Sequence, residues 1–323
     1  MDVVVSAESD HGYSFISNGD GTFQPAMEFR SRPLGRLAVA DLDGDGKADL
    51  VSAAYGAPMS GLDVLIGNGA GRFLDSLTLD TGGTPSASKM ADVNADGKTD
   101  LIVASYGGGS VDVLLGNGRG GYLSDSQSSV GKGPSDIAVG DVDGDGKLDL
   151  VTSNFDSSTV SVLLGKGDGT YQTARSFATG NSPSGVAVAD VNADGKPDLV
   201  TSNFDADSVS VLLGTGGGSF GAAASYAVEK SPSAVTAADL NGDGRADIAV
   251  SNFDSDSVSV LLATSTGFAT AVSYPTGKAP AGLTLADVNG NYGSTYIGWR
   301  DATCRRSNHG YRNRSDRSYR SEA

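Results

Sequence analysis

A ten-residue pattern, D-x-[DN]-x-D-G-x-x-D-[LI], limits what this chain can fold into more than any other feature. It occurs in full five times: 41–50 (DLDGDGKADL), 92–101 (DVNADGKTDL), 141–150 (DVDGDGKLDL), 190–199 (DVNADGKPDL) and 239–248 (DLNGDGRADI). Oxygen-bearing side chains stand at alternate positions, and the Gly at position six permits a sharp reversal. They are Asp41, Asp43, Asp45 and Asp49; Asp92, Asn94, Asp96 and Asp100; Asp141, Asp143, Asp145 and Asp149; Asp190, Asn192, Asp194 and Asp198; Asp239, Asn241, Asp243 and Asp247. Such a set suits a hard cation such as Ca2+. The alternative is a solvated hairpin turn, which needs one or two Asp or Asn and gains nothing from several converging like charges. An EF-hand loop closes on a Glu at position twelve. This one closes at nine and runs into Leu150, Val151 and Thr152, which favour a strand. The pattern predicts about five calcium sites, each in a loop joining two strands.

The loops begin at 41, 92, 141, 190 and 239, and an interrupted copy begins at Asp287. A period near 49 residues is the length of one propeller blade of four short strands. In the third repeat, 137–140 is expected as the innermost strand and 150–154 as the second. Val160, Val162 and Leu164 mark the third, and 171–178 the outer edge. Gly-rich turns join the third and fourth strands at 67–71, 116–120, 165–169 and 214–218, each followed by an aromatic: Phe73, Tyr122, Tyr171 and Phe220. No helix follows them, so they read as hairpin turns with an aromatic anchor and not as phosphate loops. Thirty-five of the 39 acidic residues are Asp, and Gly occurs 46 times, which fits an all-β chain rich in turns. The net charge of −16 argues against nucleic acid as a partner. No apolar run reaches the length of a membrane span.

Both ends interrupt a repeat. Residues 2–23 align with 149–171, so upstream sequence, including a secretory signal, is expected. After 287–291 the pattern stops, and 291–323 holds seven of the fourteen Arg, no Lys, and the single Trp (Trp299) and Cys (Cys304). A frameshift within the sixth loop accounts for this; a genuine basic tail is the alternative, and residues 292–323 are expected to be poorly ordered. The repeats thus occupy 1–290 as one domain, with 291–323 as an aberrant tail. Residues 1–32 would supply three strands of a blade and 279–288 its innermost one. Joining them would close a six-bladed ring, with Asp2, Asp287, Asn289 and Asn291 completing a sixth metal site. The alternative is a fragment of a seven-bladed ring.

The repeated loop, together with the LLGNG turn, resembles the FG-GAP/VCBS repeat family, whose relatives include the integrin α-subunit propeller. The resemblance covers roughly 1–290. It implies a propeller, most often seven-bladed, with calcium held structurally between the first and second strands of its blades. It also implies a backbone carbonyl ligand at position seven, here Lys47, Lys98, Lys147, Lys196 and Arg245. The family implies no single activity. Two His (His11 and His309) and carboxylates committed to metal argue against an enzyme. The expected role is an extracellular recognition or adhesion module for a protein or glycan. The alternatives are a lectin and an accessory scaffold of a larger secreted enzyme. On the face opposite the metal, Asn-Phe-Asp recurs at 154–156, 203–205 and 252–254, with Tyr55 and Tyr106 at the Phe position of earlier repeats. These aromatics either form a sugar- or peptide-binding ring or pack between blades while the Asp caps a turn.

Overall fold

A computed structural model describes residues 3–6, 11–20, 22–30, 34–54, 61–79, 83–286 and 296–301. The chain is an all-β propeller, and the described residues form five complete four-stranded antiparallel blades. Blade 1 is Leu34–Ala40, Asp49–Ala54, Gly61–Gly67 and Phe73–Leu79. Blade 2 is Pro85–Ala91, Asp100–Ser105, Ser110–Gly116 and Tyr122–Ser129. Blade 3 is Pro134–Gly140, Asp149–Asn154, Thr159–Leu163 and Arg175–Ala178. Blade 4 is Pro183–Ala189, Asp198–Asn203, Ser208–Leu212 and Ala224–Ala227. Blade 5 is Pro232–Ala238, Asp247–Asn252, Ser257–Leu261 and Val272–Pro275. A three-stranded sheet (Val3–Ser6, His11–Phe15, Met27–Arg30) precedes them. No helix among the described residues is long and apolar enough to cross a membrane.

The second strands explain how the blades cohere. In blades 2 to 5 every residue of this strand is buried, because each face of the strand meets a neighbouring blade. Leu150 packs with Ile102 and Val113 of blade 2, whereas Val151 packs with Leu199 and Leu212 of blade 4. The two-residue side-chain period thus distributes one strand between two cores. The aromatic anchors point the same way: Tyr171 joins the cluster shared with blade 2, and Phe220 the cluster shared with blade 3. In blade 3 the outer edge is therefore shorter than 171–178. Tyr171 makes an isolated bridge to Gly165 and turns its ring inward, and the strand starts at Arg175.

A bulge opens the first strand of blades 2 to 5, just after its Pro. The bulged residue is a Ser, and its Oγ donates to the carbonyl of the Pro one repeat later. Ser135 reaches Pro183 at 2.8 Å, Ser184 reaches Pro232 at 2.7 Å, Ser233 reaches Pro280 at 2.8 Å, and Ser86 reaches Pro134. This bond ties each innermost strand to the next. Ser184→Ala is expected to cost about 1 kcal/mol of stability, measured by urea unfolding.

The pairing expected between 279–288 and the strands of 1–32 is not the one found. Pro280–Ala286 pairs with Tyr296–Asp301, so part of the segment expected to be poorly ordered forms a strand. Ala286 faces Tyr296 as Ala238 faces Asp247 in blade 5, so the slot of a second strand is filled by the nearest downstream segment. A local hairpin closes a far shorter loop than a pairing across the whole chain. Asp2, Asp287, Asn289, Asn291, Tyr55 and most of the tail lie outside the described residues.

Candidate metal centre

Each loop leaves the first strand and re-enters the sheet at its ninth residue. Ala40 faces Asp49, Ala91 Asp100, Gly140 Asp149, Ala189 Asp198 and Ala238 Asp247. The carboxylate at position one accepts from the N–H at position six at 2.8 Å in every loop, from Asp41–Gly46 to Asp239–Gly244. Position three accepts from the N–H of position five in all five loops. These bonds coil the backbone so that its side-chain oxygens converge.

Position six is Gly throughout, with φ near +80°, a conformation L-residues avoid. Position four is also left-handed. Gly44, Gly144 and Gly242 accept this freely, but Ala95 (φ 57°) and Ala193 (φ 60°) stand there in the other two loops. Ala95→Gly and Ala193→Gly are each expected to stabilise the protein by about 0.5–1 kcal/mol, read as a higher denaturant midpoint.

The ninth residue has a different environment. Asp49, Asp100, Asp149, Asp198 and Asp247 are fully buried. In each, one oxygen accepts from the backbone N–H of position two, as Asp149 does from Val142 at 2.8 Å. The other accepts from the residue ending the Leu-Leu run, at 2.7–2.8 Å: Gly67, Gly116, Gly165, Gly214 and Ala263. A Cβ on Gly165 would lie 2.3 Å from the Leu148 carbonyl oxygen, so the turn passes almost in contact with the loop. Burial pushes the pKa of all five carboxyls up against the pull of these two bonds, and neighbouring loop carboxylates such as Asp141 and Asp143 push Asp149 in the same direction.

Positions one, three and nine come together. Oxygens of Asp41, Asp43 and Asp49 lie within 4.8 Å of one another, and so do those of Asp141, Asp143 and Asp149. The remaining loops have Asn94, Asn192 or Asn241 at position three, with the same backbone bonds. Position five is placed apart. Asp96, Asp145 and Asp243 pair with Lys98 (2.9 Å), Lys147 (2.7 Å) and Arg245 (2.7 Å), Asp194 with Lys196 (3.4 Å), and Asp45 with Lys47. The hydrogen bond from the Lys side chain holds the carboxyls of Asp45, Asp96 and Asp145 below the ordinary range. An all-oxygen set around one buried carboxylate fits a hard cation.

On the opposite face the aromatics pack against one another between blades. Phe155 and Phe204 have ring centroids 6.1 Å apart, and Phe204 and Phe253 6.4 Å. Asp205 accepts from Ser182 and Asp254 from Ser231, capping the blade connections. Asp156 accepts from the hydroxyl of Tyr106, which is exposed. Asn154 and Asn203, both buried, donate to hydroxyls in the third strand. The Pro-Ser link and the tie made by position nine are the functional contacts that motif reading missed. A Pro-Ser dipeptide recurring at 85, 134, 183 and 232 was the available signal for the first.

Comparison with known proteins places this geometry. The family model described as FG-GAP-like repeat matches six times, at 1–52, 41–103, 92–152, 141–201, 192–250 and 239–291. No curated protein matches the chain. Among solved structures, a lectin of Agrocybe aegerita that recognises non-reducing terminal N-acetylglucosamine is 21% identical, with 92% of this chain and 83% of that one covered and a TM-score of 0.59. A protein from Lactobacillus plantarum is 17% identical, with coverage of 93% and 92% and a TM-score of 0.66. Virginiamycin B lyase from Staphylococcus aureus is 13% identical, with coverage of 87% of each and a TM-score of 0.55. Identities this low carry the fold alone.

Proposed function

Because the chain belongs to the FG-GAP-like repeat family, we propose that it is a calcium-stabilised recognition propeller working outside the cell, with a protein or glycan as its partner. The observation that carries this reading is the convergence of positions one, three and nine on a buried carboxylate in the first and third loops. In the third loop Asp141, Asp143, Asp149 and the Lys147 carbonyl would hold the ion. Asp145 joins them once it leaves its Lys. The corresponding residues serve the other four loops. A bound divalent ion supplies the counter-charge that burial and like-charge crowding otherwise deny Asp149. Extracellular calcium modules bind at about 10⁻⁴–10⁻³ M, which cytosolic calcium does not reach. This supports a location outside the cell.

The role is binding and not catalysis. The loop carboxylates are taken up by backbone N–H groups and basic side chains, and lyases of the same fold are too distant to lend their chemistry. Isothermal titration calorimetry of the full chain with CaCl₂, against MgCl₂, tests the reading. About five calcium ions should bind with little response to magnesium; no calcium binding at millimolar concentration rejects it.

A second reading, glycan recognition on the opposite face, is supported by the exposed Tyr106 ring beside Asp156. Glycan-array binding that Tyr106→Ala abolishes at saturating calcium would favour it. An array with no signal would remove it.

A further inference from the structure

We propose that the basic residue at loop position seven is a built-in counter-ion that competes with the metal for the carboxylate at position five and so sets the affinity of each loop. This rests on the calcium reading above. All five loops make the same pair, although the loops differ at positions two, three, four and eight. The residue grips position five twice: its N–H donates to one carboxylate oxygen, at 2.9 Å in the third loop, and its side chain to the other. The three-carboxylate groups of the first and third loops contain positions one, three and nine and leave out Asp45 and Asp145. The carboxylate at position five is thus held aside by a cation the chain carries itself.

The lysine stem is aimed by the neighbouring turn. A Cβ on Gly69, Gly118 or Gly167 would lie 2.5, 3.1 or 2.9 Å from the Cδ of Lys47, Lys98 or Lys147. Those stems lie directly on the Gly-rich turn. At Gly216 the same distance to Lys196 is 3.9 Å, and there the ion pair is the longest, 3.4 Å. Looser seating of the stem goes with a looser grip on the carboxylate. The pairs are part-exposed, so their attraction alone adds little to folding. Their consequence is for the metal. A divalent ion must break the pair to recruit position five, and it meets an ammonium or guanidinium group at close range when it does.

The experiment compares the full chain with a variant in which Lys47, Lys98, Lys147, Lys196 and Arg245 are all changed to Gln, and with one in which the four lysines become Arg. Calcium affinity is read by calorimetry, folding by circular dichroism, and unfolding temperature in EDTA. The Gln variant should bind calcium at least about three- to tenfold more tightly, the effect of removing one unit charge about 4 Å from another when water fully screens the pair. Its unfolding temperature in EDTA should fall only slightly, because the part-exposed pairs add little to folding. The Arg variant should stay within about twofold of wild type. Lys147→Gln alone, which changes one loop, gives the same reading on one class of sites if the fivefold variant does not fold. Wild-type binding with unchanged or weaker affinity in the Gln variants overturns the counter-ion proposal alone. Absence of calcium binding in every form overturns the calcium reading and this proposal with it. Binding by the Gln variants only would support the proposal in its strongest form.

Discussion

Calcium at about one hundred times its dissociation constant is expected to raise the unfolding free energy by roughly 2.7 kcal/mol for each loop it fills, provided the unfolded chain does not bind. The loops sit in different blades, so the gains accumulate along the chain as each blade is stabilised against its neighbours. In EDTA the protein should remain folded, with a lower unfolding temperature. The loop backbones are closed by N–H bonds to positions one, three, five and nine that the chain supplies itself. Magnesium should give a much smaller rise, because it demands octahedral geometry and gives up its water reluctantly. Differential scanning calorimetry in EDTA, MgCl₂ and CaCl₂ checks this. Equal unfolding temperatures in all three would reduce the loops to turns.

Asp149→Ala is expected to destabilise the protein by about 3–5 kcal/mol, and to do so in EDTA as well as in calcium. The carboxylate is fully buried, and its removal strands the N–H groups of Val142 and Gly165 in a dry site. Each stranded donor costs about 1–3 kcal/mol. Asp141→Ala gives the contrast. Its partners at Gly144 and Gly146 are exposed and find water, so the cost in EDTA should be small. The calcium-dependent part of the stability should disappear in both. Urea unfolding of the two variants in chelator separates the roles, and a cost below about 1 kcal/mol for Asp149→Ala would sink the assignment of position nine as a structural tie.

The contrast between those two aspartates also marks how far the sequence could be read. Carboxylates at alternate positions announce a cation loop, because few other structures tolerate that repulsion. The 49-residue period announces a blade. Nothing in the pattern says that Asp149 spends both oxygens on backbone N–H groups, since one of its donors, Gly165, belongs to a different turn and meets it only after the strands pair. Nor does the pattern say that Asp145 turns toward Lys147, because lysine at position seven reads as an ordinary solvated residue until the Gly167 turn is seen beneath its stem. The outer edge is shorter at Tyr171 than the pattern implies for a related reason. An aromatic beside polar residues suits an edge strand, but this one is claimed by the core of the preceding blade. The link from Ser135 to Pro183 spans one whole repeat, a separation at which no local rule applies.

The sharing of every core between two blades has a consequence for how such a chain lengthens. The face that blade 3 offers to blade 4 is built from Val151, Val160 and Val162, and the face that blade 4 offers to blade 5 from Val200, Val209 and Val211. The receiving faces match as well, with Leu199 and Leu212 on one and Ile248 and Leu261 on the other. The lateral surfaces are interchangeable plugs and sockets. A duplicated unit of one period, spliced in at a blade connection, meets compatible surfaces on both sides and brings its own Ser, Pro and acidic loop. No unit excised alone keeps a core, since half of every core belongs to its neighbour. Growth by whole units is therefore easy for this architecture, and survival of a single unit is not.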